Sequence, residues 1–431
     1  MSKENKEISQ FLIWDYMEDM NKSNYCNTQK IINNSFQITA QEYKKYKIII
    51  DSIDSICNII FSLKLFKPSH QKFGSEGKEK SDTNKKILFG VLAKYPLIIS
   101  AAKKNYLVEM IVKGKKDRLF AIKNFIKYTS YTDLNQFVYN YLIQKNERYL
   151  YEAINNIKEK IKRTNPDYIV LWNDSLPIER AIVLISRKLR IPTIVVQHGI
   201  DSSAPPSSEG KVADYILVWG KYFKDLYIKK NNRKPENIYV LGYPYSIEKR
   251  EMSNKEDKPY TVYFLGENFE SYDKKLLNIK IKAVTSINKI CKELGMRFIY
   301  RFHPGDDTEM LKSRLLGIDF SLKNEKLSET FNKGNIFISF NSASLIEAAM
   351  RSKICLQLID YSFQPDNFEK LGVCNKSFVK IEQLAEYLKV LSKLSSLDQE
   401  KLNFNNNYIE TRYNPGKRFL EIIDDLEKSK L

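Results

Sequence analysis

The sequence predicts an α/β protein made of two doubly wound parallel-sheet domains behind a helical N-terminal segment. Three observations lead there. Short apolar runs such as "YIVL" and "TIVV" lack polar alternation, as strands covered on both faces do. Amphipathic segments such as "SLPIERAIVLISRKLR" separate them, which gives strand–helix–strand alternation. This rhythm stops in the charged stretch "IEKREMSNKEDKP", 247–259, and then starts again. With 431 residues, 43% of them hydrophobic, the chain is long enough to bury two such cores.

Taken in order, residues 1–67 read as helical, and "KPSHQKFGSEGKEKSDTNKK", 67–86, reads as a polar loop. The expected division is a helical extension and linker over 1–85 and a first domain over 86–246. A second domain follows over 260–402, then a helical segment over 403–431 that packs back on the first domain. The first domain draws its strands from "ILFGVLA", "YLVEMIV", "RLFAI", "DYIVLW", "PTIVVQ", "YILVWG" and "IYVLGY". The second draws them from "YTVYFLG", "RFIYRF", "NIFISF" and "ICLQLI", with helices at "KIKAVTSINKICKELG" and "SASLIEAAMRS".

Composition narrows the function classes. The net charge of +18, from 70 Lys and Arg against 52 Asp and Glu, suits either an anionic partner or a lysine-rich solvated surface. Neither GxGxxG nor GxxxxGK[ST] occurs, which argues against a dinucleotide oxidoreductase and a P-loop nucleotidase. No ribonucleoprotein motif or other nucleic-acid module appears, so nucleic acid is not an expected partner. The five cysteines, Cys26, Cys57, Cys291, Cys355 and Cys374, form no CxxC pair and indicate neither zinc nor a disulfide framework. The start "MSKENKEISQ" has no apolar signal core, and Asp51, Asp54 and Lys94 interrupt the most apolar stretches. The expectation is a reduced cytoplasmic protein, with docking on the anionic inner face of the membrane open to it.

The residues able to do chemistry gather just past strands, where open parallel sheets bind ligands. In the first half these are Asp174, His198 with Gly199, Gly220, and Gly242 with Pro244. In the second half they are Gly266, Glu267, Arg301, His303, Pro304, Ser342, Ala343 and Ser344. The chain has only three histidines, and two of them stand at such junctions, in "IPTIVVQHGI" and "RFHPGDD". Arg301 and His303, two residues apart, can both donate charge-assisted hydrogen bonds to phosphate oxygens. "NSASLIEAAM" reads as a helix N-terminus in which Ser342 or Ser344 caps and free amides favour a phosphate. Asp174 and His198 are the candidate general bases, each with a competing reading as a helix cap or loop residue. Asp306 and Asp307 read as a solvated turn, and no metal site is expected.

These segments resemble the GT-B nucleotide-sugar glycosyltransferases over about residues 87–425. The resemblance rests on "PDYIVLWNDSLPIERAIVLISRKLRIPTIVVQHGI", "ADYILVWGKYF", "RFHPGDD" and "SFNSASLIEAAMRSKICLQL". More narrowly they are similar to bacterial surface-polysaccharide enzymes with a His-Pro motif followed by a serine motif. Those include sialyl- and polysialyltransferases, Kdo transferases and teichoic-acid glycerophosphotransferases. A weaker similarity runs to the non-hydrolysing UDP-GlcNAc 2-epimerases. The resemblance implies two domains facing a cleft and a nucleotide-sugar donor, cytidine type favoured, as substrate rather than cofactor. The implied acceptor is a hydroxyl of a surface glycan or lipid-linked glycan. Glu347 falls where such enzymes hold the ribose hydroxyls, and Asp174 where related enzymes place an acid. The alternatives are a UDP-GlcNAc 2-epimerase-like enzyme, a CDP-glycerol-type phosphotransferase and, last, a non-catalytic binding protein. The acidic pair followed by glycine that sialyltransferases carry is absent.

Overall fold

The computed structural model describes residues 85–429 except 91–92, 113–114, 131–146, 175, 201–209, 248–258, 269–273, 324, 364–365 and 401. The expected N-terminal extension and the expected interdomain linker therefore lie essentially outside the described residues. The chain divides into two compact units. Among the described residues, one takes 85–198, 210–245 and 412–429, and the other takes 199–200, 246–247 and 259–411.

The first unit holds a seven-stranded sheet, parallel at every pairing. Its strands are β1 (Lys86–Phe89), β2 (Leu107–Val112), β3 (Lys127–Ser130), β4 (Tyr168–Leu171), β5 (Thr193–Val196), β6 (Tyr215–Val218) and β7 (Ile238–Val240), in the order β3-β2-β1-β4-β5-β6-β7. Alternate residues face opposite ways along a strand, so each strand supplies two cores. On one face Ile87, Phe89, Val170 and Val196 pack with α1 (Pro96–Asn105) and the C-terminal helix Pro415–Lys428, through Ile98, Ala102, Phe419 and Ile423. On the other, Ile111 meets Ile157 of α3 (Glu147–Thr164) and Ile178 and Ile182 of α4 (Pro177–Lys188).

Sequence and structure differ at one strand here. "RLFAI" lies in the helix α2 (Lys115–Lys123), and the third strand is the polar "KYTS". Asp117 and Ala121, four apart, are the buried positions of that helix, while Leu119 and Ile122 point outward. The apolar run thus has helical rather than strand periodicity.

The second unit holds a six-stranded sheet, again parallel throughout. Its order is β10-β9-β8-β11-β12-β13, from β8 (Thr261–Leu265), β9 (Arg297–Arg301), β10 (Asp319–Phe320), β11 (Ile336–Ser339), β12 (Ile354–Leu358) and β13 (Lys376–Phe378). The short edge strands β10 and β13 carry too few apolar residues to stand out in the sequence. The remaining helices, in chain order, are α5 (Lys221–Asn231), α6 (Lys274–Glu293), α7 (Thr308–Arg314), α8 (Leu327–Lys333), α9 (Ala343–Met350), α10 (Ile381–Lys393) and α11 (Pro415–Lys428). Val262 and Phe264 pack under α6 and α10, and Tyr263 and Phe337 stack on the opposite face against Phe331 of α8.

Residues 403–411, grouped with the C-terminal helix in the sequence reading, fold into the second unit. Tyr408 and Ile409 are buried there, and Asn405 bonds to Gly372 and Leu371. Helix α11 belongs to the first unit, where Gly416 lies so close to α1 that a Cβ would stand 2.6 Å from the Leu97 carbonyl oxygen.

Candidate active site

In the second sheet the strand order reverses direction between β8 and β11, and the carboxyl ends beside such a switch point form the crevice of a doubly wound fold. Gly266 and Glu267 follow β8, His303 and Pro304 follow β9, and Ser342 follows β11. Gly266 is required by close approach: a Cβ there would lie 2.5 Å from the Tyr300 hydroxyl and 2.7 Å from the Arg301 carbonyl oxygen. Glu267 bridges the switch point. Its carboxylate accepts the amides of Asn341 (2.6 Å) and Phe340 (3.2 Å), both at the end of β11. Burial pushes its pKa up to about 8, against the pull of the two amides and of Lys280, while Asp306 adds to the rise.

The His303 turn is fixed from beneath. Asp306 Oδ2 accepts the His303 amide (2.8 Å) and the Tyr300 hydroxyl (3.0 Å), and Asp306 Oδ1 faces Lys280 Nζ at 3.3 Å. Asp306 is 4% exposed, which corrects the expectation of a solvated turn; Asp307 is the exposed cap of α7 and accepts the Met310 amide. The ring of His303 is exposed, and its Nδ1 accepts the Gly305 amide at 3.0 Å. That bond assigns the proton of the neutral ring to Nε2, which leaves Nε2–H as a donor. Exposed Pro304 and Gly305 shape the turn; the Asn268 side-chain nitrogen, carried by no sequence motif, lies 2.6 Å from where a Cβ on Gly305 would be.

Arg301 departs from its expected partnership with His303. Its guanidinium donates to Thr330 Oγ1 (2.9 Å), the Glu325 carbonyl (3.0 Å) and the Phe302 carbonyl (3.0 Å). The i, i+2 rule applies only along a strand, and β9 stops at Arg301, so the turn carries His303 away from that register. Burial lowers the Arg301 pKa, and Glu325 and Glu347 oppose that shift.

At β11, Ser342 caps α9: its hydroxyl accepts the Ser344 amide at 3.2 Å. Ala343 and Ser344 are half-buried in the first turn. Glu347, one turn on, lies 3.7 Å from the Arg351 guanidinium, which stacks over Phe331.

In the first unit, Asp174 and His198 sit past β4 and β5 as expected but differ in character. His198 is exposed, with its ring edge-on to Trp172 at 4.5 Å between centroids, and Trp172 donates to Glu179 at 2.9 Å. Asp174 is fully buried and accepts the amides of Gly210 (2.6 Å), Val212 (2.7 Å) and Ala213 (2.8 Å). Burial raises its pKa although these amides and Arg233 favour the charged form. Both oxygens are occupied and shielded from solvent, so Asp174 has the geometry of a clamp on the 210–213 segment, not of a base facing an acceptor. Among the described residues no group of three or more His, Cys, Asp and Glu is placed to hold a metal.

No family model matches the chain, and no curated protein sequence does. Solved structures do match. The UDP-GlcNAc 2-epimerase of Neisseria meningitidis, solved with UDP-GlcNAc bound, aligns with a TM-score of 0.55 at 15% identity over 80% of this chain and 99% of that one. The UDP-GlcNAc 2-epimerase of Methanocaldococcus jannaschii aligns with a TM-score of 0.53 at 16% identity, again over 80% and 99%. A glycosyltransferase of Rickettsia africae aligns with a TM-score of 0.52 at 14% identity, over 80% and 99%. The fold is GT-B. In that frame the His303 turn, the Glu267 bridge and the Ser342 cap stand at the carboxyl edge of the second GT-B sheet.

Proposed function

We propose that this GT-B chain is an enzyme that binds a uridine-type nucleotide sugar at the carboxyl edge of its second sheet and carries out 2-epimerase-like chemistry on it. The carrying observation is the convergence at one switch point of the exposed His303, the capped N-terminus of α9 and the buried Glu267 bridge. A diphosphate needs donors already held in place, and a charge-assisted bond is about twice as strong as a neutral one. Nε2–H of His303 and the first turn of α9, with the Ser344 hydroxyl, supply such donors, while Glu347 is placed for ribose hydroxyls. The family resemblance on its own implies a cytidine donor. UDP-GlcNAc in the Neisseria complex favours uridine instead.

The second reading is transfer of the sugar to a hydroxyl of a surface or lipid-linked glycan. It is favoured by the Rickettsia glycosyltransferase and by the His-Pro and serine motifs. Docking on an anionic membrane belongs with that reading, and α2 is the element suited to it. Leu119 and Ile122 on α2 and Phe125 just past its end are exposed, beside exposed Lys116, Lys123 and, on β3, Lys127, a basic and apolar combination that fits a lipid interface.

Incubation with UDP-GlcNAc, followed by proton and phosphorus NMR, separates the two readings. The proposal expects the C2 epimer to build up without an acceptor and without stoichiometric release of UDP. Release of UDP only when a glycan acceptor is added would select the second reading, and an inert nucleotide sugar in both arms would reject both.

A further inference from the structure

Lys280 lies on the buried stripe of α6, at the spacing 280, 284, 287, 291 that brings it into line with Val284, Ile287 and Cys291. Its side chain is 1% exposed, and that of its partner Asp306 is fully buried. Burying an ammonium is costly, and an apolar residue would pack this helix at least as well. The bonds of Lys280 show what the charge reaches. Nζ donates to the Glu267 main-chain oxygen at 2.9 Å and to Asp306 Oδ1 at 3.3 Å. Asp306 holds the His303 amide and the Tyr300 hydroxyl, and Glu267 holds the amides of Phe340 and Asn341 just before the Ser342 cap. One buried cation therefore connects, in two steps, to the ends of β8, β9 and β11.

We infer that Lys280 is the positioning residue of the nucleotide site, setting the His303 turn through Asp306 and the β11 end through Glu267. This rests on the reading of that edge as the nucleotide site. Lys280 touches no substrate and acts through the groups that do. With the ammonium removed, Asp306 is a buried carboxylate without its cation, and the turn that gives His303 Nδ1 its amide partner loses its fixed base.

The test is Lys280→Met in the full chain. The three histidines, His70, His198 and His303, give a histidine-labelled protein a simple nitrogen NMR spectrum that reads each ring's tautomer. The inference expects the His303 ring signals to leave the Nε2–H pattern and the affinity for UDP to fall at least tenfold, with the His198 signals unchanged. A folded variant with unaltered His303 signals and unaltered UDP affinity would overturn it and leave Lys280 a packing residue. If the single variant fails to fold, Lys280→Met with Asp306→Asn removes both buried charges, and the same two readouts decide. Wild-type protein that does not bind UDP at all would reject the reading of the site. The His303 spectra of wild type and variant would still decide whether Lys280 sets the turn.

Discussion

The buried carboxyl of Glu267 makes stability depend on pH. Its folded pKa of about 8 lies above the ordinary 4.5, so between those values the folded state holds a proton that the unfolded state has released. Stability from this group is complete below about pH 4.5 and declines as pH rises toward 8, with a slope of at most about 1.4 kcal/mol per pH unit. Denaturant titrations across that window should show the decline in wild type and a flatter profile in Glu267→Gln. Parallel profiles would mean that the carboxylate is ionised throughout. At this scale the sequence exposed some residues and hid others. His303 was legible because a rare histidine stood between an apolar run and a Pro-Gly turn. Lys280 was not, since a lysine inside a lysine-rich amphipathic helix looks like solvated surface until its place on the apolar stripe is noticed. Asp174 was legible as a strand-end acid, but its three amide partners come from residues 36 to 39 positions away, beyond the reach of local pattern.

Two elements give checks of their own. Helix α11 returns to the first unit, where a Cβ on Gly416 would stand 2.6 Å from the Leu97 carbonyl oxygen of α1 and 2.9 Å from the Ala101 Cβ. Alanine in place of helical glycine normally helps by about 0.5–1 kcal/mol. Here the added methyl meets backbone that cannot swing aside, and overpacking of this kind costs about 1–3 kcal/mol. Gly416→Ala should therefore lower the denaturation midpoint, whereas an unchanged or raised midpoint would show that the helices sit further apart. Helix α2 gives the second check. On the transferase reading, sedimentation with vesicles containing anionic lipid should carry down wild type at low salt and release it at high salt, because each basic residue near such a surface contributes about 1 kcal/mol. Leu119→Glu should weaken that attachment. Equal partitioning onto neutral and anionic vesicles would make the positive charge a solubilising surface only. The apolar run of α2 was read as a strand because five residues are too few to separate a 3.6-residue period from a two-residue one. The true strand β3 escaped notice because an edge strand needs little apolar character.

Over the whole molecule, the strand–helix alternation and the break near residue 247 were enough to predict two parallel-sheet units. Fully apolar strands leave few alternatives to a sheet covered on both faces. The nucleotide was less accessible, since His-Pro and Ser-x-Ser are short and, as phosphate contacts, would serve either nucleotide class. The central claim is that the carboxyl edge of the second sheet holds a uridine nucleotide sugar through His303. Calorimetric titration of UDP-GlcNAc into wild type and His303→Ala tests it most directly. A hydrogen bond to a charged group contributes about 1.5–3 kcal/mol, so its loss should weaken binding roughly tenfold or more. Because the ring is exposed, the unliganded variant should melt near the wild-type temperature. Saturable binding by wild type with that weakening is the predicted result. Equal affinity in the two proteins, or no binding by wild type at millimolar UDP-GlcNAc, would contradict the account.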